Sequence, residues 1–154
     1  MYILIRFRKM SYSIGAVAAV FHDVLIVLAL FSILYGRLPF SLEIDQAFIA
    51  AILTVIGYSL NDTVVVFDRV REYFGIKSGS REQIVNAALN STLSRTINTS
   101  LTTFFVLLII FLFGGEVIRG FMFALMIGVV VGTYSSLFIA TPIMVDTLKK
   151  ENDK

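Results

Sequence analysis

The chain has 154 residues, 57% of them hydrophobic and only 16% charged, with a mean hydropathy of +0.86 and a formal net charge of +2. A soluble domain of this size needs a largely polar outside, so the composition excludes one and points to a protein whose outer faces meet lipid. The lack of cysteine excludes a disulfide framework and a thiolate metal site, and the single histidine, His22, excludes a multi-histidine metal centre within one copy.

Residues 1–10 open with the short apolar run Met1–Ile5 followed by Arg6, Arg8 and Lys9. They read as the cytoplasmic end of a truncated helix, and the chain as part of something larger. Four later stretches reach the roughly 20 residues needed to cross a hydrocarbon core of about 30 Å. The first is predicted at about 12–35, carrying His22 and Asp23, and Gly36 to Pro39 then make a turn. The second, at about 46–67, carries Asp62. A polar segment over 68–95 follows, read as a cytoplasmic amphipathic loop. Within it Ser80 and Gln83 have the spacing of a capping box, which opens a helix lying along the membrane surface. The third span is predicted at about 96–113, broken by Gly114 and Gly115, and the fourth at about 119–145. Residues 11–148 then form one transmembrane helical domain, and 149–154 a disordered tail.

Basic residues set the orientation, because Lys and Arg accumulate on the cytoplasmic side. In the four-span arrangement Arg6, Arg8, Lys9, Arg69, Arg71, Lys77, Arg81, Arg95, Lys149, Lys150 and Lys154 fall on one side, and only Arg37 and Arg119 on the other. Both termini are therefore expected in the cytoplasm. The same distribution argues against nucleic acid as a partner, since the positive charge sits beside spans.

Asp62 is the most informative residue. Apolar side chains flank Asn61 and Asp62 on both sides, and a carboxylate at that depth, roughly 9 Å at about 1.5 Å per residue, costs several kcal/mol unless paired, hydrated or protonated. Thr54, Tyr58 and Asp62 are four apart and share a face, with Ser59 and Thr63 on an adjoining strip. On the third helix Thr92, Arg95, Thr99 and Thr102 form a second polar stripe, and the long Arg95 side chain is expected to extend towards Asp62. Burial disfavours charge on a carboxyl group and a guanidinium favours it, so a small helix movement can load or release a proton. The alternative is a static ion pair or polar contact that only fixes packing. Asp23 is either a second proton site or a satisfied contact; Asn61 and Thr99 are further candidate secondary polar positions. His22 reads more simply as a buried neutral ring, and because neighbours on a helix point about 100° apart, His22 and Asp23 are not expected to pair tightly. Gly128, Gly132 and Ser136 continue to Ala140 at four-residue spacing, a small-residue ridge for close helix packing. The phenylalanines at 104, 105, 111, 113, 121 and 123 read as lipid-facing or interfacial bulk. No nucleophile–base pair, metal-ligand spacing or phosphate loop is present, so neither an enzyme nor a cofactor is expected.

The run Ile56 to Glu72 (IGYSLNDTVVVFDRVRE) resembles the signature of the SecF branch of the SecD/SecF family of bacterial protein-export membrane proteins. His22-Asp23, Leu93 to Thr103 (LSRTINTSLTT), Phe113 to Phe121 (FGGEVIRGF) and the stretch from Gly128 to Ser136 resemble further blocks of the same family in the same order. The resemblance implies an all-α membrane protein with four complete transmembrane helices plus the end of a fifth, half of a bundle of the resistance–nodulation–division type. It implies that an earlier helix and a large periplasmic domain precede these residues in the family. It also implies a subunit of the bacterial inner membrane that works with SecD and the SecYEG channel and uses the proton-motive force to draw preprotein outward. On matching blocks the proton-relay residues are Asp62 and Arg95, with a further carboxylate contributed by SecD. Two other readings stay open: a helix-packing module that conducts no protons, and an ion channel made by several copies.

Overall fold

The computed structural model describes residues 2–7 and 9–152, and those residues are helical apart from short turns. Helix α1 covers Tyr2–Phe7, α2 Met10–Leu34, α3 Gln46–Ile76, α4 Arg81–Phe113, α5 Glu116–Ser135 and α6 Thr141–Asn152, with one π-helical turn over Ser136–Ala140 between the last two. Four of these units are long and apolar enough to cross a bilayer: α2, α3, α4 and the continuous run Glu116–Lys149.

Local chemistry sets the boundaries. Gly36, at φ +70°, takes the left-handed conformation that ends α2, and Arg37 N–H closes the turn on the Leu34 carbonyl at 3.0 Å. Asp45 caps α3 by accepting from Phe48 N–H at 2.8 Å. The Ser80–Gln83 capping box forms in both directions. Nothing between Asp68 and Phe74, or between Arg81 and Phe113, is glycine or proline, so both helices run on past the membrane boundary. The 31 residues of α3 and 33 of α4 extend about 46 Å and 50 Å, well beyond a core of about 30 Å. The segment expected as an amphipathic loop over 68–95 is therefore two helix ends joined by a tight turn. The surface helix expected there is the start of α4 itself.

The tail expected to be disordered is also helical as far as Asn152; only Asp153 and Lys154 lie outside the described residues. Leu148, 5% exposed, packs into the bundle and carries that last stretch with it. The π turn has a local cause in Pro142. It lacks the N–H that an α-helix needs there, and its ring crowds the preceding turn. The wider turn accommodates it, while Thr141 Oγ1 donates to the Ser136 carbonyl at 3.0 Å.

The interior divides into two apolar clusters with a polar layer between them. Tyr12, Ala16 and Ala19 of α2, Val66, Phe67 and Val70 of α3, and Ala140 and Met144 beyond the π turn belong to one. Val27 and Phe31 of α2, Phe48, Ala51 and Val55 of α3, and Ala124 and Leu125 of α5 belong to the other. Between them, at the next helical step on each chain segment, stand Asp23, Ser59 and Ser135. Phe121 and Phe123, read from sequence as lipid-facing or interfacial, instead pack against the second cluster, and Phe111 meets the rings of Phe40 and Phe123.

Helix α5 packs against α2, α3 and α4. Only 11% of the most apolar window of α4 is buried, against 44% for the Glu116–Lys149 unit, so α4 is a peripheral helix with one face uncovered. The small-residue ridge brings α5 against α3. A Cβ on Gly128 would come within 2.0 Å of Val55 Cγ2, and one on Gly132 within 3.1 Å of Ser59 Cβ. Val55 is buried and β-branched, so its methyl groups cannot swing aside. Gly57, by contrast, faces open space. Gly128→Ala is expected to destabilise the fold by about 1–3 kcal/mol through overpacking. Gly57→Ala is expected to be neutral or to stabilise by up to about 1 kcal/mol through helix propensity. Thermal unfolding in detergent, compared between the two variants, checks the contrast.

Candidate functional site

The polar layer is built from three helices. Asp23 of α2 is fully buried, as are Ser59 of α3 and Ser135 of α5. Ser59 Oγ donates to Asp23 Oδ2 at 2.5 Å and Ser135 Oγ donates to the same oxygen at 2.8 Å. On the other side His22 Nδ1 lies 3.1 Å from Asp23 Oδ1, where a ring N–H donates to the carboxylate. The expectation that these neighbours would not pair is corrected here. Their Cβ directions diverge, but the imidazole reaches back around the helix, leaving its side chain 31% exposed. Both Asp23 oxygens therefore have partners. Gly132 makes this possible, since its missing side chain lets Ser59 approach α5.

Asp62 is one turn further along α3, three residues and about 4.5 Å from Ser59. Only 6% of it is exposed, and its Oδ2 is buried without a hydrogen-bond partner, as is the Oγ1 of the neighbouring Thr63. Asp23 and Asp62 are thus two buried aspartates, on α2 and α3, in opposite states of satisfaction. Buried polar atoms almost always find partners, so an orphaned carboxylate oxygen in a span marks a group awaiting one.

Of the face shared by Thr54, Tyr58 and Asp62, Thr54 is exposed and its hydroxyl donates to its own helix at Ala50. Tyr58 OH donates to Ser100 Oγ at 3.4 Å, and Ser100 is bonded to Thr133 at 2.5 Å, so a second hydroxyl chain ties α3, α4 and α5. Asn61 is exposed.

Arg95 does not pair with Asp62. Among the described residues the ion pairs are Arg6–Asp68, His22–Asp23 and Arg69–Glu72. The reason is angular. Helix α4 buries Thr92, Thr96 and Ser100, a four-residue stripe, and Arg95 stands about 100° away from it on an exposed side. Its side chain lines a groove of about 330 Å³ with Asp68, Arg69, Glu72 and Ser91. Thr99, Thr102 and Thr103 turn their hydroxyls onto the backbone of α4. Arg95, Asn98, Thr99 and Thr102 form an exposed polar row on that helix. Ser135 escapes a sequence reading because the ridge periodicity selects Ser136, one position on; its hydroxyl nevertheless makes the Asp23 bond.

The chain matches the family model for the protein export membrane protein SecD/SecF, C-terminal, over residues 1–150. It is 64% identical over 146 residues to the protein translocase subunit SecF of Rhodothermus marinus, covering 94% of this chain and 47% of that protein. With the SecF of Thermodesulfovibrio yellowstonii the identity is 51%, over 93% of this chain and 46% of the relative. The chain therefore spans about half the length of these curated relatives. Its fold is similar to a crystal structure of SecDF in a super-membrane-facing form (TM-score 0.88, 38% identity), covering 99% of this chain and 20% of that one. It is likewise similar to SecDF from Thermus thermophilus, with a TM-score of 0.83 and 40% identity over 96% of this chain and 20% of the other. Model, relatives and fold agree: the chain belongs to the SecD/SecF family of protein export membrane proteins and corresponds to the C-terminal membrane part of SecF.

Proposed function

We propose that this chain is the proton-coupled membrane part of a Sec export subunit. It sits in the bacterial inner membrane with both termini cytoplasmic, beside SecD or the SecD half of a fused chain. There it assists preprotein passage through SecYEG using the proton-motive force. The observation that carries the reading is the buried Oδ2 of Asp62, inside a span and without a partner among the described residues. A carboxyl group in that setting changes its energy sharply when a charge or hydrogen-bond partner arrives, which is the property a proton carrier needs.

Arg95 supplies the modulating charge in this reading. At rest it lies in the groove beside Asp68 and Glu72, and a modest shift of α4 relative to α3 brings it closer to Asp62 or removes it further. The uncovered face of α4, with its row Arg95, Asn98, Thr99 and Thr102, is the natural contact for the SecD helices. Polar side chains facing lipid are costly, whereas the same groups against another helix form hydrogen bonds.

A second reading, a helix-packing module, is favoured at one place only. Asp23 is fully bonded to Ser59, Ser135 and His22, which is the pattern of a structural anchor. The two aspartates therefore take different roles: Asp62 carries the proton, and Asp23 holds α2, α3 and α5 in register.

Three outcomes test this division in the complete export complex. Asp62→Asn keeps the side-chain shape and is expected to leave the melting temperature unchanged while reducing proton-driven export to the level of cells lacking the subunit. Normal export at normal expression removes Asp62 from the mechanism. Arg95→Ala is expected to fail in the same assay, and Arg95→Lys to rescue it poorly, because an ammonium lacks the reach and forked geometry of the guanidinium. Asp23→Leu strands the buried Ser59 hydroxyl, while Ser135 keeps its bond to the Gly132 carbonyl at 3.2 Å, and is expected to cost about 1–3 kcal/mol, lowering thermal stability and folded yield together. Unchanged stability in Asp23→Leu contradicts the anchor.

A further inference from the structure

At the end of the bundle where α2 begins and α3 and α6 finish, a cavity of about 420 Å³ opens between α1, α2, α3, α4 and α6. Its lining combines Lys9, Arg71 and Arg81 with Phe7, Tyr12 and Phe74. Among the described residues no carboxylate lines it, although acidic residues are close by in sequence. Two of those acids are engaged elsewhere: Asp68 holds Arg6 at 2.9 Å, and Glu72 holds Arg69 at 2.7 Å. The three cavity cations take part in none of the ion pairs among the described residues; Arg71 donates only to the backbone carbonyl of Arg6, at 3.3 Å. Three like charges converging on one concavity repel one another, and an anion between them removes that cost.

The position of the cavity identifies what kind of anion. Lys9 immediately precedes the first residue of α2, and Arg71 follows the apolar part of α3 by one turn, so these two cations lie at the level where the hydrocarbon core gives way to headgroups, with Arg81 of α4 closing the cavity from the cytoplasmic side. Tyr12 and Phe7 stack at 4.8 Å, and Phe67 meets both edge-on, so the apolar wall is rigid and aromatic, as expected at that depth. A cationic mouth over an aromatic wall is complementary to a phosphodiester carrying acyl chains. The volume is within the usual range for a small-molecule site. Basic pockets between transmembrane helices take anionic lipid headgroups in just this arrangement.

We infer that the cavity lined by Lys9, Arg71 and Arg81 binds the phosphate of an anionic phospholipid, holding one lipid where α1, α3, α4 and α6 meet. The bound lipid ties the α3–α4 turn to the ends of α1 and α6, next to the groove that holds Arg95. This site is independent of proton transfer by Asp62 and stands or falls separately.

Native mass spectrometry of the chain in detergent tests it, with titration of dioleoylphosphatidylglycerol and dioleoylphosphatidylcholine. The anionic lipid is expected to bind preferentially, and Arg71→Ala to weaken it roughly fivefold, the typical worth of one basic residue at an anionic surface. Arg81→Glu reverses a charge in the cavity while placing an acid in the first turn of α4, where it favours the helix, so its loss of binding is not a loss of folding. Arg37→Ala, at the opposite end of the bundle, is expected to bind as the unaltered chain does. Equal binding of the two lipids, or unchanged binding in both cavity variants, overturns the site. Displacement of the lipid by millimolar inorganic phosphate overturns the lipid assignment in favour of a soluble phosphate.

Discussion

Two hydroxyl groups on one carboxylate oxygen set the geometry of this bundle. Ser59 and Ser135 both donate to Asp23 Oδ2, and neither can do so unless α2, α3 and α5 come together at one depth and one rotation. Apolar packing alone would tolerate sliding of one helix by a turn, because Val, Leu and Phe surfaces are similar along their length. In a bilayer there is no water to exchange hydrogen bonds with, so a buried carboxylate off register loses its partners outright. The apolar clusters on either side of the polar layer fill space; the polar layer fixes where each helix stops. Gly128, Gly132 and Gly15 serve the same constraint by allowing contact too close for a side chain.

Against that fixed background Asp62 is conspicuous for being incomplete. It lies a single turn from Ser59 on the same helix, equally shielded from solvent, yet one of its oxygens has no partner. A stretch of sequence able to satisfy one aspartate so fully leaves the second unsatisfied, and the neighbouring helix α4 is the least covered in the bundle. These facts belong together if the chain is half of a larger assembly whose other half packs on α4 and supplies the missing group. Membership in the SecD/SecF family, and a span of only about half of its curated relatives, are consistent with that arrangement.

Much of the fold was legible in the sequence, and the misses have physical reasons. Span existence follows from hydropathy, the α4 start from the Ser80–Gln83 spacing, and the close approach of α5 from glycines four apart. Where α3 and α4 extend past the bilayer, hydropathy falls but helix propensity does not, so the polar segment was read as a loop. The π turn is a response to Pro142, which periodicity does not register. At the site, Asp62 stands out because charge in a span is rare. The proximity of Arg95 was inferred from depth alone, whereas contact also requires the right angle around α4, and there Arg95 stands beside the buried stripe rather than on it. The Asp23 partners are invisible to sequence because serines in transmembrane helices are common and often bond their own backbone, as Ser91 and Ser136 do here.

The central claim is that Asp62 Oδ2 has no hydrogen-bond partner among the described residues and acquires one on assembly. Infrared difference spectroscopy of its carboxyl group addresses that directly, with Asp62→Asn as the reference, for the chain alone and for the chain assembled with a SecD half. The carboxyl stretching band is expected to move between the two states, because the buried oxygen gains a hydrogen bond or a charge only in the second. A band at the same position in both would contradict the account.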